Sequence, residues 1–324
     1  MAKLDLTSKF LGAMVGSALG DAIGELAFTV PSEDRLRATV DATDRLVYTD
    51  DTAMAIGLAE SLTEIGDVDP QHLGRRFHDN YAREPWRGYA AGPPTLFAAV
   101  AREGGSYVET ARRLYGGDGS LGNGAAMRVA PIGLAFHAAA DIGDKARASA
   151  AVTHAHPIGM DGAAVLAAAV ARAVALDPGA AFPRAAFCRR LAAAAETAEI
   201  GDRMAMVDRL VGGGEPATAA ADSLGRSVAV HLSMPFAVYA FVAHPASFEE
   251  CLFCAILNGG DRDTLGAMAC AVSGAYLGIG AIPSAWRAKL ENRDEIERLA
   301  TALAAMAARG ARGPGGRARD RVTP

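Results

Sequence analysis

The sequence predicts an all-α protein, and three observations support this fold class. Hydrophobic residues make up 51% of the 324 residues and aromatic residues only 6%, so alanine and the 36 glycines fill much of the expected core. Alanine is the strongest helix former, and small side chains let helices approach closely. Apolar residues recur at helical spacing, as in Met54, Leu58 and Leu62, and no convincing alternating strand pattern is present.

Five segments have the clearest helical patterns, and glycine pairs mark turns along the chain. No long linker divides the sequence, so we expect one compact domain over residues 1–308. The arginine-rich residues 309–324 contain no core-forming run, and we expect a disordered basic tail. The predicted helices cover residues 10–22, 51–64, 163–176, 184–198 and 296–308.

Charge and composition argue against several classes of function. A net charge of -5 gives no reason to expect a nucleic-acid-binding protein. Four cysteines and the lack of a recognisable secretory signal favour a cytoplasmic location. Residues 227–248 and 265–286 are long uncharged runs, but neither is strongly hydrophobic, so we expect buried helices and no membrane partner.

Two short acidic segments, each at the predicted start of a helix, are the sharpest functional signal. They are Thr-Asp-Asp at residues 49–51 and Asp-Arg-Asp-Thr at residues 261–264. A helix cap needs one side-chain acceptor, so paired carboxylates with neighbouring hydroxyls exceed what capping requires. If the two helix starts meet, their four carboxylates require a compensating cation. Such oxygen ligands favour Mg²⁺, Mn²⁺ or Ca²⁺ over zinc, and two ions could be held.

A third acidic element surrounds Gly24. Asp21 is a candidate to orient ligands or bound water, and Glu25 is a candidate general base. The structural alternative is a helix that simply ends near Gly24.

A glycine-rich loop over residues 116–128 leads into a predicted helix. Its backbone N–H groups offer an anion site, although an ordinary long turn is the alternative, because the pattern matches neither a Walker A motif nor a dinucleotide fingerprint. Beside an acidic cation centre, we expect this loop to bind a diphosphate while sugar hydroxyls face the cations.

The histidines and cysteines carry weaker signals. On a helix, His154 and His156 would point apart, so we expect His154 to line a substrate pocket, or else to be a buried structural histidine, rather than to bind zinc. Cys251 and Cys254 form a C-x-x-C motif, but apolar neighbours and the lack of a second such motif favour packing.

Together these motifs resemble the ADP-ribosylglycohydrolase family. The resemblance spans roughly residues 8–308 and is carried, in order, by GSALGDAIGE, YTDDTAMAIGLAESL, GSLGNGAAMRVAPIGL, THAHPIG and GGDRDTLGAMACAVSGAYLG. The PWRGY segment at residues 85–89 and the GSLGNGAAMRV segment look closest to the branch that cleaves ADP-ribosylserine and O-acetyl-ADP-ribose.

The resemblance implies a compact all-α domain with two Mg²⁺ or Mn²⁺ ions at its centre. It implies an enzyme that releases ADP-ribose from a modified protein or small molecule, with ADP-ribosylarginine and nucleic-acid-linked ADP-ribose as further candidates. The implied metal ligands are Thr49, Asp50, Asp51, Asp261, Asp263 and Thr264. The implied substrate-binding residues are Gly88, Gly119, Ser120, Leu121, Gly122, Asn123 and His154, with Asp21 beside them.

The chain also departs from the family pattern. Phe28 occupies the position where the family often carries a water-positioning glutamate, so we expect Glu25 or Asp261 to serve as the catalytic acid–base group; an acid from elsewhere or an impaired step stays open. Leu121 replaces an aromatic residue of the serine branch and offers adenine an apolar contact without ring stacking.

Three rival functions stay open at this point. A metal-dependent nucleotide pyrophosphohydrolase would release AMP rather than intact ADP-ribose. A non-catalytic ADP-ribose-binding module would bind the ligand without forming product. A structural member of the fold would gain no thermal stability from Mg²⁺.

Overall fold

The computed structural model describes residues 5–310, which form a helical fold. Within this range β-structure is limited to two isolated bridges, so the predicted all-α fold class is confirmed. Arg309 and Gly310 belong to the last helix, and the rest of the predicted tail lies outside the described residues. The helices of the N-terminal half are α1 (Leu6–Thr29), α2 (Glu33–Ala42), α3 (Asp50–Ile65), α4 (Pro70–Arg83), α5 (Gly92–Glu103), α6 (Tyr107–Arg113), α7 (Gly124–Met127), α8 (Ala130–Ala135) and α9 (Ile142–Ala151). Those of the C-terminal half are α10 (Pro157–Ala175), α11 (Arg184–Ala192), α12 (Ala198–Gly213), α13 (Ala217–Leu224), α14 (Met234–Ala243), α15 (Phe248–Ile256), α16 (Arg262–Leu277), α17 (Ser284–Lys289) and α18 (Arg293–Gly310).

Helices α1 and α16 form an antiparallel pair at the centre, and glycines bring their backbones into contact. A Cβ atom placed on Gly20 would lie 2.2 Å from the carbonyl oxygen of Gly266, and one on Gly274 would lie 1.9 Å from that of Gly12. Real side chains never approach backbone atoms so closely, so only glycine fits at these crossings. This antiparallel contact places the start of α16 beside Gly24, in the C-terminal part of α1.

The long helix α10 is held against α1 by a buried cation. The ammonium of Lys9 donates to the carbonyl oxygens of Ala173 and Val174, at 3.3 and 2.9 Å, in the last turn of α10. Carbonyls in the last turn lack the N–H partner four residues ahead that interior carbonyls have, and a positive charge is favourable at that end of the helix dipole.

Two predictions about helix boundaries were wrong, and tertiary contacts explain both. The helix predicted over residues 184–198 is interrupted: α11 ends at Ala192, and the Asp161 carboxylate of α10 accepts hydrogen bonds from the backbone N–H groups of Glu196 and Thr197, which holds the segment just before a new helix, α12. No helix ends at Gly24: α1 continues to Thr29, and Gly24 packs against the backbone of Arg262.

The two uncharged runs, residues 227–248 and 265–286, form buried helices, as expected. Each run contains parts of more than one helix. They contain α14 and α16, which have 10 and 16 residues. Among the described residues, α1 and α10 are the helices whose length and composition alone would allow a membrane crossing, and 83% and 78% of their apolar windows are buried inside the fold. The C-x-x-C motif lies in α15 with both thiols buried, as the packing interpretation predicted.

Candidate active site

A cavity of about 510 Å³ lies where the starts of α3 and α16 face the glycine-rich loop. All but three of the predicted site residues line it, including both acidic segments and the loop. The predicted residues in its lining are Asp50, Asp51, Gly88, Gly119, Ser120, Leu121, Gly122, Asn123, His154, Asp261, Asp263 and Thr264.

The two acidic segments meet at Asp51, although more than two hundred residues separate them in the chain. The Oδ2 atom of Asp51 accepts hydrogen bonds from the hydroxyls of Thr49, at 3.3 Å, and Thr264, at 3.4 Å. Asp50 and Asp51 open α3, while Asp261 and Asp263 flank the first residue of α16. The convergence of the two predicted helix starts is therefore present.

Asp21 holds the start of α3 in place from the neighbouring helix α1. Its fully buried carboxylate accepts hydrogen bonds from the backbone N–H groups of Thr49 and Thr52, at 3.0 and 3.1 Å, and from both hydroxyls. These amides are among the unpaired donors at a helix start, so Asp21 acts as the cap that Thr49 itself does not provide. Asp21 is absent from the cavity lining, so this structure places it behind the site rather than against substrate.

Burial and mutual repulsion raise the free energy of the ionised carboxylates in the two acidic segments. Burial, reinforced by Asp21, raises the pKa of Asp50 to about 7, and burial, reinforced by Asp261, raises the pKa of Asp263 to about 8. The pKa of Asp51 is raised well above its usual value, first by burial and then by Asp21 and Asp263. A local positive charge would relieve this repulsion.

The donor set fits a hard divalent cation. The Oδ1 atom of Asp51 is buried without a hydrogen-bond partner in the described part of the chain, and such an atom normally has one. Carboxylate and hydroxyl oxygens around it are ligands that Mg²⁺ and Mn²⁺ prefer. Within residues 5–310 no group of three or more His, Cys, Asp or Glu side chains already stands in a metal-binding arrangement. The fit rests on the chemistry of these oxygens and on the unpaired Asp51 atom.

The glycine-rich loop packs tightly against the segment that precedes α10. A Cβ atom on Gly119, whose φ is +74°, would lie 2.7 Å from the backbone nitrogen of His156, so only glycine allows this approach. The loop is paired on its other side through the bridge between Gly122 and Ala229. Within residues 5–310 the backbone N–H groups of Ser120 and Leu121 donate to no other group, and both residues line the cavity. These donors are available to an anionic ligand.

Asn123 connects the glycine-rich loop to the second acidic segment. Its Nδ2 donates to Asp261 Oδ2 at 2.7 Å and to the hydroxyl of Ser233 at 3.3 Å, and its side chain is buried. The orientation of Asp261 therefore depends on the loop.

His154 faces the cavity from an irregular segment, so the argument that a helix would point His154 and His156 apart does not apply. Helix α10 begins only at Pro157, and both His154 and His156 line the cavity. Burial, reinforced by Arg128, lowers the pKa of His154 to about 3, so its ring is neutral near pH 7. A neutral ring can offer a hydrogen bond but is a much weaker acid than an imidazolium.

Two further predicted residues are absent from the cavity lining. Glu25 follows Asp21 by one helical turn and its side chain is exposed, so its position gives no support for a role as general base. Thr49 contacts the acidic centre only through its bonds to Asp21 and Asp51.

Tyr115 and Val228 are among the lining residues that had not been predicted as site residues. Tyr115 is a non-glycine residue with a positive φ of +54°, and Val228 reaches the loop through backbone bonding with Asn123. Neither has a sequence signal, because Tyr115 depends on an uncommon backbone conformation and Val228 on pairing with a distant segment.

Comparison with known proteins identifies relatives along nearly the whole chain. The family model described as ADP-ribosylglycohydrolase matches residues 2–312. Human ADP-ribosylhydrolase ARH3 is 33% identical over 341 aligned residues, which cover 91% of this chain and 93% of the relative. The uncharacterized protein YegU of Escherichia coli is 32% identical, covering 92% and 97%. A solved structure titled ADP-ribosylglycohydrolase-related protein complex superposes with a TM-score of 0.71 at 27% identity, covering 93% of this chain and 99% of that one.

Proposed function

Because this chain belongs to the ADP-ribosylglycohydrolase family, whose members are hydrolases, we propose that it cleaves the glycosidic bond at C1″ of the distal ribose in an ADP-ribosylated acceptor. The observation that carries the proposal is the cavity itself, in which a loop with free N–H donors and two pairs of aspartates face the same space. A diphosphate and a sugar diol are the groups that these two walls recognise.

We propose Mg²⁺ or Mn²⁺ as the cofactor, with two ions per chain. The residues that would hold them are the two acidic pairs with the hydroxyls of Thr49 and Thr264. When bound, these cations supply positive charge that orients the 2″ and 3″ hydroxyls and stabilises the negatively charged oxygens around them.

The aspartates would also carry the proton transfer that glycoside hydrolysis requires. Cleavage develops positive charge at C1″, and nearby carboxylates stabilise it. Asp261, oriented by Asn123 through Oδ2, would use Oδ1 to accept the proton of the attacking water and would pass that proton to the acceptor atom that leaves C1″. The exposed Glu25 is not needed for this step.

Tyr115 supplies the aromatic ring that Leu121 does not. It lines the cavity and is 59% exposed, so its ring face is free to contact a purine. We expect Tyr115→Ala to weaken ADP-ribose binding about three- to tenfold, because stacking contributes about 1 kcal/mol. Titration calorimetry tests this, with Tyr115→Phe as the matched control. Equal affinity of the alanine variant and the wild type would contradict a base-stacking role.

We propose ADP-ribosylserine and O-acetyl-ADP-ribose as the favoured substrates, with ADP-ribosylarginine next. The support is the PWRGY and GSLGNGAAMRV motifs and the likeness to ADP-ribosylhydrolase ARH3. The test is incubation with O-acetyl-ADP-ribose and with serine-, arginine- and nucleic-acid-linked ADP-ribose, with and without Mg²⁺, followed by measurement of free ADP-ribose. Fastest release from the serine or acetyl ester substrate is expected. Preference for arginine would contradict the substrate assignment, and no release from any substrate would contradict the function.

A further inference from the structure

A fully buried arginine lies behind the cavity wall and supports His154. Arg128 has no exposed surface, and its hydrogen-bond partners in the described part of the chain include no carboxylate. Its guanidinium donates to the carbonyl oxygen of Gly124 at 3.1 Å and, through Nη2, to the hydroxyl of Thr153 at 2.7 Å. Its charged group also lies 4.5 Å from the centre of the Phe77 ring. A buried charge without an opposite charge beside it lowers the stability of the fold. Its presence favours a role for Arg128 beyond packing.

The hydrogen bonds around Thr153 determine which nitrogen of His154 carries the proton. The Thr153 hydroxyl oxygen lies 2.7 Å from His154 Nδ1. Arginine can only donate, so this hydroxyl accepts from Arg128 and directs its own proton to Nδ1. The opposite tautomer would leave the hydroxyl proton without an acceptor in the described structure. The neutral ring therefore carries its proton on Nε2.

The Nε2 atom is placed beside the glycine-rich loop. A Cβ atom on Gly124 would lie 2.8 Å from Nε2, and one on Gly122 would lie 3.4 Å from it and 3.2 Å from the Ser120 hydroxyl. Among the described residues, Nε2 has no hydrogen-bond partner. It therefore joins the unpaired N–H groups of Ser120 and Leu121 on the same side of the cavity.

We propose that Arg128 and Thr153 are positioning residues that hold His154 as the Nε2–H tautomer, so that this ring donates a hydrogen bond to an oxygen of a bound diphosphate. This inference rests on the proposed function, because it takes ADP-ribose as the ligand. The low pKa of His154 agrees with a permanently neutral donor. The buried guanidinium adds positive charge behind the anion without occupying the cavity.

Thr153→Val is the sharpest test, because substitution of Arg128 would also remove its contacts with Gly124 and Phe77. Valine keeps the shape of threonine but removes the hydroxyl that links the two residues. We expect ADP-ribose affinity to fall about tenfold by titration calorimetry, as a lost hydrogen bond of about 1.4 kcal/mol would produce. Thr153→Ser is expected to recover most of that loss.

A spectroscopic measurement separates positioning from general destabilisation. In ¹⁵N-histidine NMR spectra, wild-type His154 is expected to be protonated at Nε2 only, and the valine variant to show a mixed tautomer. Thr110→Val is a matched control, because Thr110 is equally buried, bonds the carbonyl oxygen of Ser106 and lies outside the cavity lining. It is expected to leave affinity and tautomer unchanged.

The possible outcomes distinguish this inference from the proposed function. Protonation of wild-type His154 at Nδ1 would overturn the inference. Equal affinity of the wild type and Thr153→Val, with normal binding by both, would overturn it while leaving the proposed function intact. No binding of ADP-ribose by the wild type would overturn both.

Discussion

Replacing Asp261 and Asp263 together with asparagine is expected to abolish turnover while the fold survives. The double variant removes two of the four carboxylates that would hold the cations, and one of them is the proposed proton acceptor. Losses of at least about a thousandfold are typical when a site loses its main electrostatic groups. The shape of the site changes little, because an amide is close in size to a carboxylate. The measurement is the rate of ADP-ribose release, alongside circular dichroism to confirm folding.

The same variant also tests the role of the cation. Ligands that bind only the folded state raise its stability, so Mg²⁺ is expected to raise the melting temperature of the wild type but not of the double variant. Asp144→Asn with Asp294→Asn is a matched control, because both carboxylates are highly exposed, at 82% and 90%. Undiminished turnover in the folded Asp261 and Asp263 variant would reject the metal role.

Gly20→Ala is expected to cause a large loss of stability from a single added methyl group. Its Cβ atom would lie 2.2 Å from the carbonyl oxygen of Gly266, so α1 and α16 would have to separate. Overpacking of this kind costs about 1–3 kcal/mol or more, which outweighs the gain of up to about 1 kcal/mol from alanine in a helix. Turnover should fall as well, because Asp21 is the next residue and anchors the start of α3.

Urea denaturation measures this effect, and Gly280→Ala is the control. No atom lies within 4 Å of a Cβ atom placed on Gly280, so that variant is expected to match the wild type. A Gly20→Ala protein as stable as the wild type would show that the two central helices are not held at the separation described.

The sequence predicted the features that depend on local chemistry. Paired carboxylates at residues 50–51 and 261–263 indicated two special helix starts, because acidic side chains and hydroxyls there exceed what capping requires. The all-α class followed from alanine content and helical spacing. The resemblance to a family then connected segments that local patterns could not connect.

Features that depend on distant contacts were beyond sequence reasoning. Gly24 resembled a helix end, yet the neighbouring helix α16 keeps α1 helical there. The segment before α12 is held by Asp161, which lies 35 residues earlier in the chain than Glu196, the first residue whose amide it binds. Tyr115 enters the cavity through a backbone conformation that tyrosine rarely adopts. At the two helix boundaries the neighbouring partner is remote in the chain, whereas Tyr115 depends on the conformation of its own backbone.

The most direct test of the proposed function is the identity of the products formed from a serine-linked ADP-ribosyl peptide. Mass spectrometry after incubation with Mg²⁺ is predicted to find intact ADP-ribose and unmodified peptide, and neither when the divalent cation is removed by a chelator. Release of AMP, with a phosphoribosyl group left on the peptide, would contradict cleavage at C1″ and identify a pyrophosphohydrolase instead.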